Sequence, residues 1–98
     1  MAEFITRVEL HDASSHDYDK LHDGMERQGF SRFITGGTGQ QRHLPTAEYR
    51  LVAALTVAEV RERAKAVAAQ VRPTWEILVV EVANWSGYLS LATEKKYG

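Results

Sequence analysis

The chain has 98 residues, no cysteine and a formal net charge of −1 at pH 7, with 44% hydrophobic and 26% charged residues. This length fits a single domain over residues 1–98, and the missing cysteines exclude disulfides, thiolate metal sites and a cysteine nucleophile. The balanced charge provides no global positive field, so an RNA partner needs a local basic patch, and we expect no DNA partner. The sequence shows neither a signal peptide nor a membrane span, which favours a cytoplasmic protein with no membrane partner.

The first predicted element is a β-strand over residues 4–10. Apolar residues alternate along it, as they do in a strand with one buried face. Ser14 and Asp17 form a capping box that predicts a helix over residues 15–28. Gly29 supplies the positive φ that ends this helix.

A second strand is predicted over residues 30–35 and a third over residues 47–55. The link between them contains Gly36-Gly37-Thr38-Gly39 and is long for a hairpin. The glycine run could cradle a phosphate with backbone N–H groups, but it lacks the lysine and helix of a P-loop. A flexible hairpin is the simpler interpretation.

The last third of the chain repeats the helix and strand order. Thr56 and Glu59 form a capping box for a helix over residues 56–71, and Pro73 ends it. A fourth strand over residues 75–82 is almost continuously apolar, which is typical of a central strand. The tail, about residues 86–98, keeps apolar side chains and is interpreted as an extra strand or a docking arm.

The βαββαβ order predicts an α+β protein with a ferredoxin-like sandwich. We expect a four-stranded antiparallel sheet in the order 4-1-3-2, with both helices on one face and a possible extra C-terminal strand. The predicted core residues are Val8, Leu10, Leu21, Met25, Val60, Ala64 and Val67. The uncovered sheet face and the apolar tail predict a homodimer.

His11 and Asp12 are the candidate catalytic residues, since they lie at the carboxyl end of the first strand. A histidine there could act as the acid or base when a ribose 2′-hydroxyl attacks its phosphate, and Asp12 could hold a divalent cation. The simpler alternative is a polar strand end that opens a turn. No cofactor is required by the sequence, although Mg²⁺ is compatible with it.

Basic residues in the middle of the chain are the candidate contacts for single-stranded RNA. They are Arg32, Arg42, His43 and Arg50. Phe33, Tyr49 and Trp75 could stack on bases beside them, or could simply pack in the core.

The first helix contains a further set of polar residues, His16, Asp19 and Asp23, which could share one face. A weak cation site is possible there, but polar residues that complement the helix dipole are the simpler interpretation. We therefore predict no metal ligand in this helix.

Several short groups of residues occur at the spacing of the landmarks of one known family. They are Phe4-Ile5-Thr6 with Val8; Met25 with Gly29-Phe30-Ser31 and Ile34; Leu44-Pro45-Thr46-Ala47-Glu48-Tyr49; Ala58-Glu59-Val60; and Trp85 with Tyr88. On these residues the chain resembles the GhoS family, which are small antitoxins of type V toxin–antitoxin systems. The resemblance implies a ferredoxin-like fold similar to that of the small CRISPR-associated nucleases. It also implies endoribonuclease activity, a hydrolase function, on the messenger RNA of the toxin. An aspartate ends the first strand of those nucleases, and Asp12 occupies a comparable place.

Three functions therefore remain as hypotheses. The first is an antitoxin-type endoribonuclease acting on single-stranded RNA. The second is a nonenzymatic regulatory module that binds RNA or a protein partner on its open sheet face. The third is a domain whose open face only forms a dimer.

Overall fold

The computed structural model describes residues 1–93. Its elements are β1 (Ala2–Leu10), α1 (Ser15–Arg27), β2 (Phe33–Thr35), β3 (Gln41–His43), β4 (Glu48–Ala53), α2 (Val57–Val71) and β5 (Trp75–Glu81). The α+β class is confirmed. The sequence analysis missed only β3, which lies in the segment interpreted as a loop.

The main sheet has three antiparallel strands in the order β4-β1-β5. Strand β1 lies in the centre, so that Ile5, for example, pairs with Arg50 on one side and Val80 on the other. The alternation along β1 has the expected effect, because Phe4, Thr6, Val8 and Leu10 are all buried.

The predicted four-stranded sheet is not formed, and this part of the fold prediction is wrong. Next to β4, only Ser31 pairs, through two backbone hydrogen bonds with Arg50 of 2.8 and 2.7 Å. Strand β2 then pairs with β3 in a separate two-stranded ribbon. The glycine-rich turn brings β3 close to β2 in the chain, and closing so short a loop has a low entropic cost. This local partner takes the hydrogen bonds that the prediction gave to the main sheet.

The two helices pack on the same side of the main sheet, as predicted. The buried cluster combines the inner face of β1 with residues from both helices, and it contains every residue of the predicted core. Both capping boxes are present, Ser14 with Asp17 and Thr56 with Glu59. The helices approach closely at Gly24, where an added Cβ would lie 2.6 Å from Cγ1 of Val67.

The other face of the main sheet is not covered by any helix of the described residues. Leu78, Val80 and Val52 are 63%, 45% and 42% exposed there. Strand β5 is therefore not the central strand that its apolar composition suggested. It is an edge strand that pairs only with β1, and its apolar run covers the core on one face and meets solvent on the other.

The tail crosses the molecule after β5. Its N–H at Val82 bonds to the carbonyl of Glu3, and residues 90–92 then bond to β3, from His43 N to Ser90 O and from Ala92 N to Gln41 O. Strand β5 is one edge of the main sheet, and the segment that leads into the ribbon bridges β4 at the other edge, so residues 83–89 connect the two edges. The rest of the predicted arm, residues 94–98, lies outside the described residues. Within residues 1–93, neither helix is long and apolar enough to cross a bilayer.

Candidate functional site

His11 lies where β1 ends, and its backbone is fixed by the start of β5. Its N–H donates to the carbonyl of Thr74 at 3.1 Å, and its own carbonyl accepts from Nε of Arg72 at 3.3 Å. The imidazole is 41% exposed, so that it is held at its base and still reaches solvent. This is a suitable setting for a group that exchanges protons with a bound substrate.

Two carboxylates lie beside the ring of His11. Nε2 of His11 is 3.2 Å from Oε2 of Glu76 and 4.0 Å from Oε2 of Glu9. Register explains the meeting, because Glu9 and Glu76 pair directly across β1 and β5, and His11 is two residues further along the same face. The hydrogen bond from His11 is the main cause that lowers the pKa of the Glu76 carboxyl.

This arrangement defines which nitrogen of His11 is the basic one. An ionised Glu76 can only accept hydrogen bonds, so Nε2 must donate to it. The neutral ring then carries its lone pair on Nδ1, and the carboxylate stabilises the charge that forms when Nδ1 takes a proton. The same three side chains place one donor atom each within 4.8 Å of one another, a spacing that a divalent cation could bridge.

Asp12 follows His11 in the left-handed region, with φ of 52°, and it is exposed. Among the described residues its carboxylate makes no hydrogen bond or ion pair. It is therefore available for a cation or a substrate, but the structure does not bring it into the cluster of Glu9, His11 and Glu76. Arg72 is the nearby cation, since its Nε donates to the backbone carbonyl of His11 at 3.3 Å.

The predicted RNA-binding residues lie in three different places. Arg42 of β3 donates to the carbonyl of Leu89 at 3.0 Å and to Oε1 of Gln40 at 3.2 Å. His43 packs against Phe33 across the ribbon, with ring centroids 4.8 Å apart. The ribbon therefore holds two of the four residues.

The other two predicted RNA-binding residues lie closer to the main sheet. Arg50 is on β4, where Nε forms an ion pair with Glu3. Arg32 lies near the phenol of Tyr49, since its charge acts to lower the pKa of that group.

Tyr49 offers no surface on which an RNA base could stack, so the hypothesis that it stacks on bases is wrong. Its ring is fully buried, and its hydroxyl lies 2.6 Å from Nδ1 of His22. Burial raises the pKa of the Tyr49 phenol. The core interpretation of this aromatic residue is the correct one.

Sequence reasoning missed Glu76 and Arg72 as neighbours of His11. Glu76 interrupts the apolar run that begins at Trp75, and that contrast was the available signal. Its alignment with Glu9 depends on the register of β1 and β5, which the sequence does not reveal. Arg72 directly follows α2 and precedes Pro73, and no local pattern connects it with the end of β1.

A comparison with protein-family models gives one match. The model described as endoribonuclease GhoS matches residues 1–88, which include every helix and strand of the fold. No curated protein matches the chain.

Proposed function

The chain belongs to the GhoS endoribonuclease family, and from that premise we propose that it cleaves single-stranded RNA as an antitoxin, on the messenger RNA of its toxin. The observation that supports a site is the contact of 3.2 Å between His11 and Glu76 at the exposed end of β1. A base held by a carboxylate on a rigid strand is the arrangement that acid–base cleavage of RNA needs. We place this function in the cytoplasm.

In the proposed reaction, Nδ1 of His11 removes the proton of a ribose 2′-hydroxyl. The 2′-oxygen attacks the adjacent phosphorus while the bond from phosphorus to the 5′-oxygen breaks, and that oxygen takes a proton from solvent. The products are a 2′,3′-cyclic phosphate and a 5′-hydroxyl. Glu76 keeps the ring in the reactive tautomer, and Arg72 acts on the phosphate by its charge. Asp12 would hold a divalent cation such as Mg²⁺, which would supply further positive charge for the phosphate.

The RNA contacts in this proposal are Arg32, Arg42, His43 and Arg50. Their separation over the ribbon and β4 suits an extended strand better than a compact ligand. In this proposal the fold is ferredoxin-like, and its fourth strand is reduced to the bridge between Ser31 and Arg50.

The proposal separates chemistry from binding, and variants can test it. His11→Ala and Asp12→Ala should lower the turnover number at least tenfold while the Kd for RNA stays near that of the wild type. Arg50→Ala should instead weaken RNA binding several-fold and flatten its salt dependence, with little effect on turnover at saturation. Cleavage of defined single-stranded RNAs is followed on gels, with Mg²⁺ or with EDTA.

Glu3→Gln is the matched control for Arg50→Ala. It breaks the same ion pair but leaves the cation, so RNA binding should be retained or strengthened. The enzyme would be ruled out if protein free of contaminating nucleases left every tested single-stranded RNA intact, both with Mg²⁺ and with EDTA.

The exposed apolar residues Leu78, Val80 and Val52 favour a second candidate function. A sheet face of this kind suits a nonenzymatic regulatory module that binds a second copy of the chain or another protein. We propose a homodimer through this face, which is compatible with either function.

A further inference from the structure

A groove of about 980 Å³ lies between the turn of the ribbon and the tail. One wall is the glycine-rich turn, residues 35–38, and the other is the tail segment 84–91. Strand β3 supplies Arg42. The backbone hydrogen bonds of Ser90 and Ala92 fix the tail against β3, so both walls of the groove are connected through this strand.

The charge of this groove differs from that of the rest of the chain. The chain has 13 acidic residues, yet no aspartate or glutamate lines the groove among the described residues. Arg42 lines it, and within residues 1–93 no carboxylate lies at ion-pair distance from this guanidinium. The groove therefore suits an anionic ligand, whereas Glu9 and Glu76 make the end of β1 negative.

The aromatic residues of the groove are also unusual. Tyr88 is fully exposed and Trp85 is 38% exposed, although burying such large apolar side chains would stabilise the protein. Both lie within the tail wall, on either side of Gly87. Exposed aromatic rings beside an arginine form the surface on which unpaired bases stack while their phosphates meet the cation.

We infer that this groove binds an unpaired segment of the RNA substrate, with bases stacked on Trp85 and Tyr88 and a phosphate at Arg42. The inference rests on the proposed function for its ligand class. The groove begins close to Glu3, since Asn84 lines it and Val82 bonds to Glu3. His11 lies eight residues further along β1, about 26 Å away at the rise of a strand. The groove is therefore a holding site, and cleavage occurs on a part of the RNA several nucleotides distant.

Direct binding tests the groove without any need for cleavage. The probe is a 12-nucleotide single-stranded RNA of mixed sequence, with 2′-O-methyl groups that block attack by the 2′-oxygen. Tyr88→Ala should raise its Kd about tenfold, as expected for the loss of one stacked base. Tyr88→Phe keeps the ring and should bind like the wild type. Arg42→Gln should weaken binding and reduce the slope of log Kd against log salt by about 0.7.

Val57→Ala is the matched control, because Val57 is an exposed residue on α2 that lies outside the groove. Its Kd should not change. A duplex of the same length should bind more weakly than the single strand, since paired bases cannot stack on the protein. The chain has two tryptophans, so Trp75→Phe leaves Trp85 as the reporter, and its fluorescence should fall as the RNA is added.

The outcomes separate this inference from the proposed function. RNA binding that is the same in Tyr88→Ala and the wild type, or an unchanged Trp85 signal at saturation, overturns the groove. Intact groove binding with no cleavage of any RNA overturns the enzyme and leaves the groove standing. Cleavage that depends on His11, with no effect of Tyr88→Ala on the KM of long or short RNAs, overturns the groove and leaves the enzyme standing.

Discussion

At the scale of single residues, the contact between His22 and Tyr49 is the strongest polar feature of the core. Both side chains are at least 96% buried, and the hydroxyl lies 2.6 Å from Nδ1. A polar pair that is cut off from water is costly to disturb, because the remaining partner cannot recover its hydrogen bond from solvent.

Tyr49→Phe should therefore lower the free energy of unfolding by about 1–3 kcal/mol, although it keeps the ring. The measurement is chemical denaturation with urea. Tyr18→Phe is the control, since its hydroxyl bonds to the backbone of Leu10 in a half-buried site, and its effect should be smaller. An effect of Tyr49→Phe below that of the control would contradict the importance of the buried pair.

Glu76 provides a residue-scale prediction on pH. Its pKa is lowered from the ordinary value of 4.5, chiefly by the hydrogen bond from His11. A lowered pKa in the folded state means that the pair stabilises the protein above the ordinary value and loses this effect as pH falls through the folded value. His11→Ala should raise the pKa of Glu76 toward 4.5. Carbon-13 NMR of the glutamate carboxyl carbons can measure this.

Glu9→Gln is the control for this variant. It removes a neighbouring acidic charge and keeps the hydrogen bond from His11, so the pKa of Glu76 should stay below 4.5. A pKa that stays the same in His11→Ala would show that the two side chains do not meet in solution.

At the scale of elements, the crossing of α1 and α2 depends on Gly24. An added Cβ would lie 2.6 Å from Cγ1 of Val67, and valine in a helix has little freedom to rotate away. Gly24→Ala gains helix propensity worth about 1 kcal/mol. Overpacking costs about 1–3 kcal/mol, so the net effect should be a loss of about 1 kcal/mol.

Calorimetry should show this loss as a fall in Tm of about 4–8 °C. Adding Val67→Ala removes the clashing methyl groups, so in that background Gly24→Ala should become neutral or stabilising. A fall in Tm of the same size in both backgrounds would show that the helices do not meet at Gly24.

The elements also show what the sequence can and cannot predict. Both capping boxes and the helix end at Gly29 are predictable because the interacting groups lie within a few residues of each other. The ribbon is not predictable from the sequence, because the segment around Phe33 can pair either with β3 or with β4. Which pairing is more stable depends on contacts between residues that are distant in the chain. The meeting of Glu76 with His11 is likewise unpredictable, because it depends on a register set between strands 65 residues apart.

At the scale of the whole molecule, the uncovered face of the main sheet leads to the prediction of a dimer. Leu78 is the most exposed of its apolar residues, so Leu78→Glu should dissociate the dimer. Val57→Glu, a similar change on α2, should leave it intact. Sedimentation equilibrium at tens of micromolar should give twice the chain mass of 11.0 kDa for the wild type. A wild-type mass equal to one chain would contradict the prediction.

The central position of β1 has a consequence for how the protein is made. Residues 2–10 are made before both of their partners, which are β4 and then β5, where Phe4 pairs with Glu81. At about 5–20 residues per second, the 77 residues that follow Phe4, up to and including Glu81, take about 4–15 s to add. Until β4 has been made, β1 has neither neighbour, and it lacks β5 until the end of that time. The core can close only after β5 has been made, so chaperones that shield β1 should increase the yield of folded protein.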